Sequence, residues 1–133
     1  MFDPWILIEQ ENINVFYTNK LPDKINAVYD RDETGAIIIL RKGLIHIEER
    51  CVLAHELGHH FLSAGNSITT CYSLVERINL SRTEKRANDW AIKHLLPKDE
   101  FIKTLEIGLE VWDMAEKFDV TEEAVEYTKK IYR

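Results

Sequence analysis

Two histidines four residues apart, with a glutamate directly after the first, stand in the segment Ala54-His55-Glu56-Leu57-Gly58-His59-His60. On an α-helix, positions i and i+4 lie about 40° apart around the axis, so His55 and His59 would project from one face. Two imidazoles placed in this way can bind one zinc ion, and Glu56 beside them can take a proton from water that the metal activates. A catalytic zinc takes three protein ligands and keeps a fourth position for water, so a third ligand must come from elsewhere. Downstream candidates are Glu76, Glu84, Asp89 and His94. Glu84 is favoured, because it opens a helix able to pack antiparallel to the first, which would turn its carboxylate toward the two histidines. Asn88, four residues on, shares that face and could hydrogen-bond a ligating histidine, fixing its tautomer.

Plainer readings compete with these. Ser81-Arg82-Thr83-Glu84 has the form of a capping box, in which Glu84 would only bond a helix-end amide. Glu56 could be a solvent-facing helix glutamate. Gly58 costs about 1 kcal/mol relative to Ala inside a helix, and the close approach of a substrate or a neighbouring backbone would explain it. His46, His94 and Tyr72 are candidates to stabilise the oxyanion of a tetrahedral intermediate. Cys51 lies one turn before His55, but three side chains spaced along one helix do not readily converge on one ion, so it reads as a small buried cysteine. Cys71 is a weak candidate for modification. His60 points about 100° away from His59 and is assigned to packing or surface.

The elements that must hold these residues can be read from periodicity. Residues 13–40 read as β structure: Ile13–Tyr17 alternates, a loop follows at Lys20–Asp23, and Ile25–Tyr29 and Ala36–Leu40 flank a polar connection from Asp30 to Gly35, as in a hairpin. A further extended piece is expected at Leu44–Ile47. From about Glu48 the period becomes helical, giving an active-site helix over about 48–63 that ends at Gly65-Asn66. Residues 66–80 read as polar and irregular. A helix then runs from the Ser81 cap to about Leu96, where Pro97 stops it. Lys98–Leu105, Leu109–Phe118 and a last helix capped at Thr121 and ending near Tyr132 complete the chain.

The segments Leu53-Ala54-His55-Glu56-Leu57-Gly58-His59-His60 and Glu84-Lys85-Arg86-Ala87-Asn88, the latter continuing to Leu95-Leu96-Pro97, resemble the ImmA/IrrE metallo-endopeptidases over roughly residues 36–130. The resemblance implies a minimal zincin-like metallopeptidase, with His55, His59 and Glu84 as the metal ligands and Glu56 as the catalytic base. It also implies site-specific cleavage of a helix-turn-helix repressor that controls a prophage, mobile element or stress regulon.

Composition bounds the alternatives. A chain of 133 residues fits one domain, 1–133, and 45% apolar with 30% charged residues is ordinary for a globular protein. The net charge of −6 disfavours broad phosphate-backbone binding, and with it a zinc-dependent DNA-binding protein. Residues 109–132 read like a helix-turn-helix, yet Glu122, Glu123 and Glu126 at the second helix would repel phosphates, so the segment is assigned to the fold. Two cysteines are too few for a disulfide framework, and the N-terminal apolar run is too short for export or anchoring, which points to a reduced, cytoplasmic protein without a membrane partner.

The sequence therefore predicts an α+β fold, a small β-sheet packed on a helical core, carrying His-Glu-x-x-His on its active-site helix. The predicted function is that of an endopeptidase using one Zn2+, with a helix-turn-helix repressor as protein substrate. The competing function is a non-catalytic metal-binding regulator that acts by protein–protein binding.

Overall fold

In a computed structural model, the protein is described over residues 1–62, 69–72 (backbone) and 82–132. The expected helix end at Gly65-Asn66, the Ser81 cap, Glu76 and the side chains of Cys71 and Tyr72 lie outside the described residues.

A helix missing from the sequence reading comes first. α1 (Pro4–Gln10) starts where Asp3 accepts a hydrogen bond from the Trp5 amide at 3.0 Å, and Pro4 occupies the first turn, where no amide is needed. The Asp-Pro pair was the available signal, and it buries Pro4 and Ile8.

Three strands follow: β1 (Asn14–Thr18), β2 (Ile25–Asp32) and β3 (Gly35–Arg41). β2 and β3 form the expected hairpin but run further into the polar connection. The turn shrinks to Glu33-Thr34 because Asp32 accepts from both the amide (2.8 Å) and the hydroxyl (2.6 Å) of Thr34. A fourth strand, β4 (Thr69–Tyr72), falls where irregular chain was expected; Thr-Thr-Cys-Tyr is a β-prone run. The sheet order is β1-β3-β2-β4, with β1 parallel to β3 and the other pairs antiparallel. Ala27 and Tyr29 of β2 and Ala36, Ile38 and Leu40 of β3 alternate onto one buried face.

That face packs on α2 (His46–Leu62), which starts earlier than expected. Leu44 and Ile45 precede it, and His46 and Ile47 form its first turn instead of a strand. Glu48 explains the start: its carboxylate accepts from the Ile45 amide at 3.4 Å, and the Ile45 carbonyl takes the first intrahelical bond. α2 is central. Leu53 and Leu57 join the sheet-side core, whereas Ala54 joins a second core built by the remaining helices.

Those helices are α3 (Arg82–Leu95), α4 (Lys98–Glu106), α5 (Val111–Phe118) and α6 (Glu122–Ile131). Pro97 separates α3 from α4, and Thr121 caps α6 by accepting from the Ala124 amide at 3.1 Å. The helix-turn-helix-like stretch buries Met114, Phe118, Val120, Ala124 and Val125 in the helical core. Buried Arg50 of α2 ties it down, donating to the carbonyls of Phe118 and Asp119 at 2.9 and 2.8 Å and to that of Phe2 at 2.7 Å. Among the described residues, no helix is long and apolar enough to cross a membrane.

Candidate metal centre

The site forms where α2 and α3 touch. α2 is cut down to its backbone there, against the backbone of α3: a Cβ on Gly58 would stand 2.6 Å from the carbonyl oxygen of Ala87 and 2.9 Å from its Cα. A neighbouring backbone, then, explains Gly58. This approach lets short side chains on the two helices meet, and it brings Glu84, at the start of α3, over the histidine face of α2.

There the two imidazoles stand edge to face, with ring centroids 4.7 Å apart, and their Nε2 atoms are 3.0 Å from each other. Glu84 spans them, one carboxylate oxygen 2.8 Å from His55 Nε2 and the other 3.1 Å from His59 Nε2. Asn88, one turn along α3, lies with its Oδ1 2.5 Å from His55 Nδ1. A carbonyl oxygen can only accept, so the proton of the neutral His55 ring sits on Nδ1 and the Nε2 lone pair faces the cluster.

The electrostatics favour the ligating forms. Burial pushes the His55 pKa below its usual value, outweighing the opposite pull of Glu84, so the ring stays neutral. Burial alone would raise Glu84, but the imidazoles of His55 and His59 beside it hold it at about 2, an ionised carboxylate.

Two imidazole nitrogens and a carboxylate, all within 4.8 Å of one another and largely buried, could hold a metal ion. A tetrahedral zinc with bonds of about 2.0–2.1 Å sets its donors about 3.3 Å apart. The observed separations of 2.8, 3.0 and 3.1 Å need to open by only a few tenths of an ångström. The donor set therefore fits zinc.

Glu56 follows His55 but is fully buried (0% exposed), which removes the reading of a solvent-facing helix glutamate. It lies within electrostatic reach of Tyr29: burial raises the Tyr29 hydroxyl pKa most, and the Glu56 charge adds to the rise against the pull of Arg31.

The other candidates are scattered. His46 is exposed in the first turn of α2, about 13 Å along the axis from His55, and it pairs with Asp119 at 2.8 Å. His94 lies about 15 Å along α3 from Glu84. Its Nδ1 donates to the Trp90 carbonyl at 2.8 Å, and its ring stacks on Trp90 with centroids 3.9 Å apart. Asp89 points away from the cluster, bonded to Lys85 at 2.9 Å and to the Tyr127 hydroxyl at 3.0 Å. For Tyr72 only the backbone is described, paired with Ile25 across the sheet.

The sequence reading missed a buried support behind α2. His60 is neither surface nor simple packing. Its Nε2 donates to Glu11 at 2.9 Å, and its Nδ1 accepts from the Tyr29 hydroxyl at 2.6 Å, tying α2 to α1 and β2. Only the apolar-polar alternation of β2 pointed Tyr29 inward, and no sequence signal paired it with His60.

Fold and cluster together define an α+β protein with a His-Glu-x-x-His helix and a glutamate-bearing second helix. The chain belongs to the peptidase family M78, the IrrE N-terminal-like domain, whose model matches residues 8–130. The family indicates a metallopeptidase, in agreement with the resemblance drawn from the two motifs. No curated protein matches the sequence at a significant level.

Proposed function

We propose that the protein is a zinc-dependent endopeptidase that cleaves a partner helix-turn-helix repressor of a prophage or mobile element in the cytoplasm. The observation that carries this reading is the convergence of His55, His59 and Glu84, with Glu56 buried alongside. His55 and His59 would hold the metal through Nε2, with Glu84 as the third ligand and Asn88 fixing the His55 tautomer. Bound zinc would lower the pKa of water to about 7 and polarise a peptide carbonyl. Glu56 accepts the proton of the attacking water and delivers it to the departing amine, which needs a carboxylate close by but not itself a ligand.

A repressor substrate suits an acidic surface. Glu122, Glu123 and Glu126 disfavour direct nucleic-acid contact, so the protein acts on the DNA-binding partner instead of on DNA. A peptidase sharing a compartment with the cell's own proteins must be selective, and activity on generic peptides is expected to be low.

Co-expression with the repressor encoded beside its gene tests this. The wild type is expected to yield two repressor fragments. Glu56→Gln should yield none while keeping near-stoichiometric zinc. Absence of cleavage by both forms, with the repressor still bound, would replace the peptidase by a regulator that works through binding.

A further inference from the structure

A cavity of about 150 Å³ adjoins the metal centre on the side away from Gly58, between the first half of α2, the second half of α3 and the start of α6. His55 and Asn88 contribute to its lining, so the cavity and the metal centre share a wall. Cys51 and Val52 of α2, Ala91, Ile92 and Leu95 of α3, and Ala124 of α6 make most of its wall apolar. Burial keeps the Cys51 thiol above its usual pKa, so that wall is neutral. The volume accommodates a group the size of benzene or a four-carbon chain.

Asn26, Thr121 and Tyr127 add neutral polar groups to the lining, and its charged groups are two carboxylates, half-buried Glu48 from α2 and exposed Glu123 from α6. No lysine or arginine lines it among the described residues. An aliphatic wall ending in negative charge matches one kind of side chain, a long stem that buries its methylenes and carries a cation at its tip.

We propose that this cavity is a substrate side-chain pocket, selecting lysine or arginine beside the scissile bond, with Glu48 and Glu123 as the residues that read the charge. The proposal rests on the peptidase reading above and adds which side chain the site takes. A purely apolar pocket would separate side chains only by size, whereas the two carboxylates distinguish lysine from norleucine, its uncharged isostere.

The test uses the zinc-loaded full chain and two small chelators, N-acetyl-lysine hydroxamate and N-acetyl-norleucine hydroxamate, with binding followed by calorimetry. Such compounds are short enough to seat on the metal in either direction. The lysine compound should bind about five- to tenfold tighter at low salt, the size expected for partly exposed ion pairs, and the difference should shrink as salt rises. The double variant Glu48→Gln, Glu123→Gln should bring the lysine compound to the norleucine value while zinc content stays stoichiometric. Glutamine at 48 can still accept from the Ile45 amide, so the start of α2 is preserved. Equal affinities in the wild type, or a preference that survives the double variant, would overturn the pocket and leave the peptidase reading intact. A protein that takes up no zinc overturns both.

Discussion

Gly58→Ala separates two physical arguments that predict opposite signs. By helix propensity alone, alanine in the interior of α2 should stabilise by about 1 kcal/mol. The geometry says otherwise, since the new methyl would stand 2.6 Å from the Ala87 carbonyl oxygen, where ordinary contact begins at 3.4 Å. Relief requires α2 and α3 to part by about 0.8 Å, because the obstacle is backbone and cannot rotate away. Overpacking of this kind costs about 1–3 kcal/mol. After the propensity gain, a net loss of up to about 2 kcal/mol remains. For a chain of this length that lowers the melting temperature by up to roughly 8 °C. The same movement carries Glu84 away from His55 and His59, so zinc affinity should fall tenfold or more, as when a ligand's supporting contacts are lost. Thermal unfolding of the metal-free variant and a competition titration with a zinc chelator measure the two effects separately. Adding Ala87→Gly should not rescue either, since the clash is with the carbonyl and Cα. A Gly58→Ala protein that melts higher than wild type with unchanged zinc affinity would refute the close-approach argument.

Further outcomes follow from the same geometry. Asn88→Ala should weaken zinc binding about 10–100-fold by freeing the His55 ring, while Asp89→Ala, at a residue turned away from the cluster, should leave it near the wild-type value; equal losses would remove Asn88 from its orienting role. Tyr29→Phe leaves His60 Nδ1 buried without its donor, which should cost about 1–3 kcal/mol in urea unfolding, and no loss would mean that the contact carries nothing. The metal-free protein should lose stability on acidification. His55 has a folded pKa below its unfolded value of 6.5, so unfolding takes up a proton as the pH falls through 6.5, and Glu84, at about 2 folded against 4.5 unfolded, loses its contribution as pH falls from 4.5 toward 2. A urea midpoint unchanged between pH 7 and pH 4 would contradict this, and His55→Ala should flatten the upper part of the profile.

Much of the scaffold was legible because it rests on short-range rules. The hairpin of β2 and β3, the stop at Pro97 and the Thr121 cap each depend on a few neighbouring residues. Errors fell where local signals were equivocal. Leu44-Ile45-His46-Ile47 alternates like a strand, but the reach of Glu48 back to the Ile45 amide recruits His46 and Ile47 into α2. Asp3-Pro4 carried a helix-start signal in a segment judged only for its hydrophobic length.

By itself, the sequence determined that His55 and His59 share a face, because i and i+4 are neighbours on any α-helix, and that Glu56 lies beside them. It also made Glu84 and Asn88 a second such pair. What it could not determine is how the two pairs meet, since that depends on contacts between residues about 30 positions apart. The tertiary structure decided it through the Gly58–Ala87 backbone contact, the Tyr29–His60–Glu11 support behind α2, and burial that keeps Glu56 out of solvent. Helical periodicity is a property of the local chain, whereas the distance between two helices is set by whatever atoms separate them.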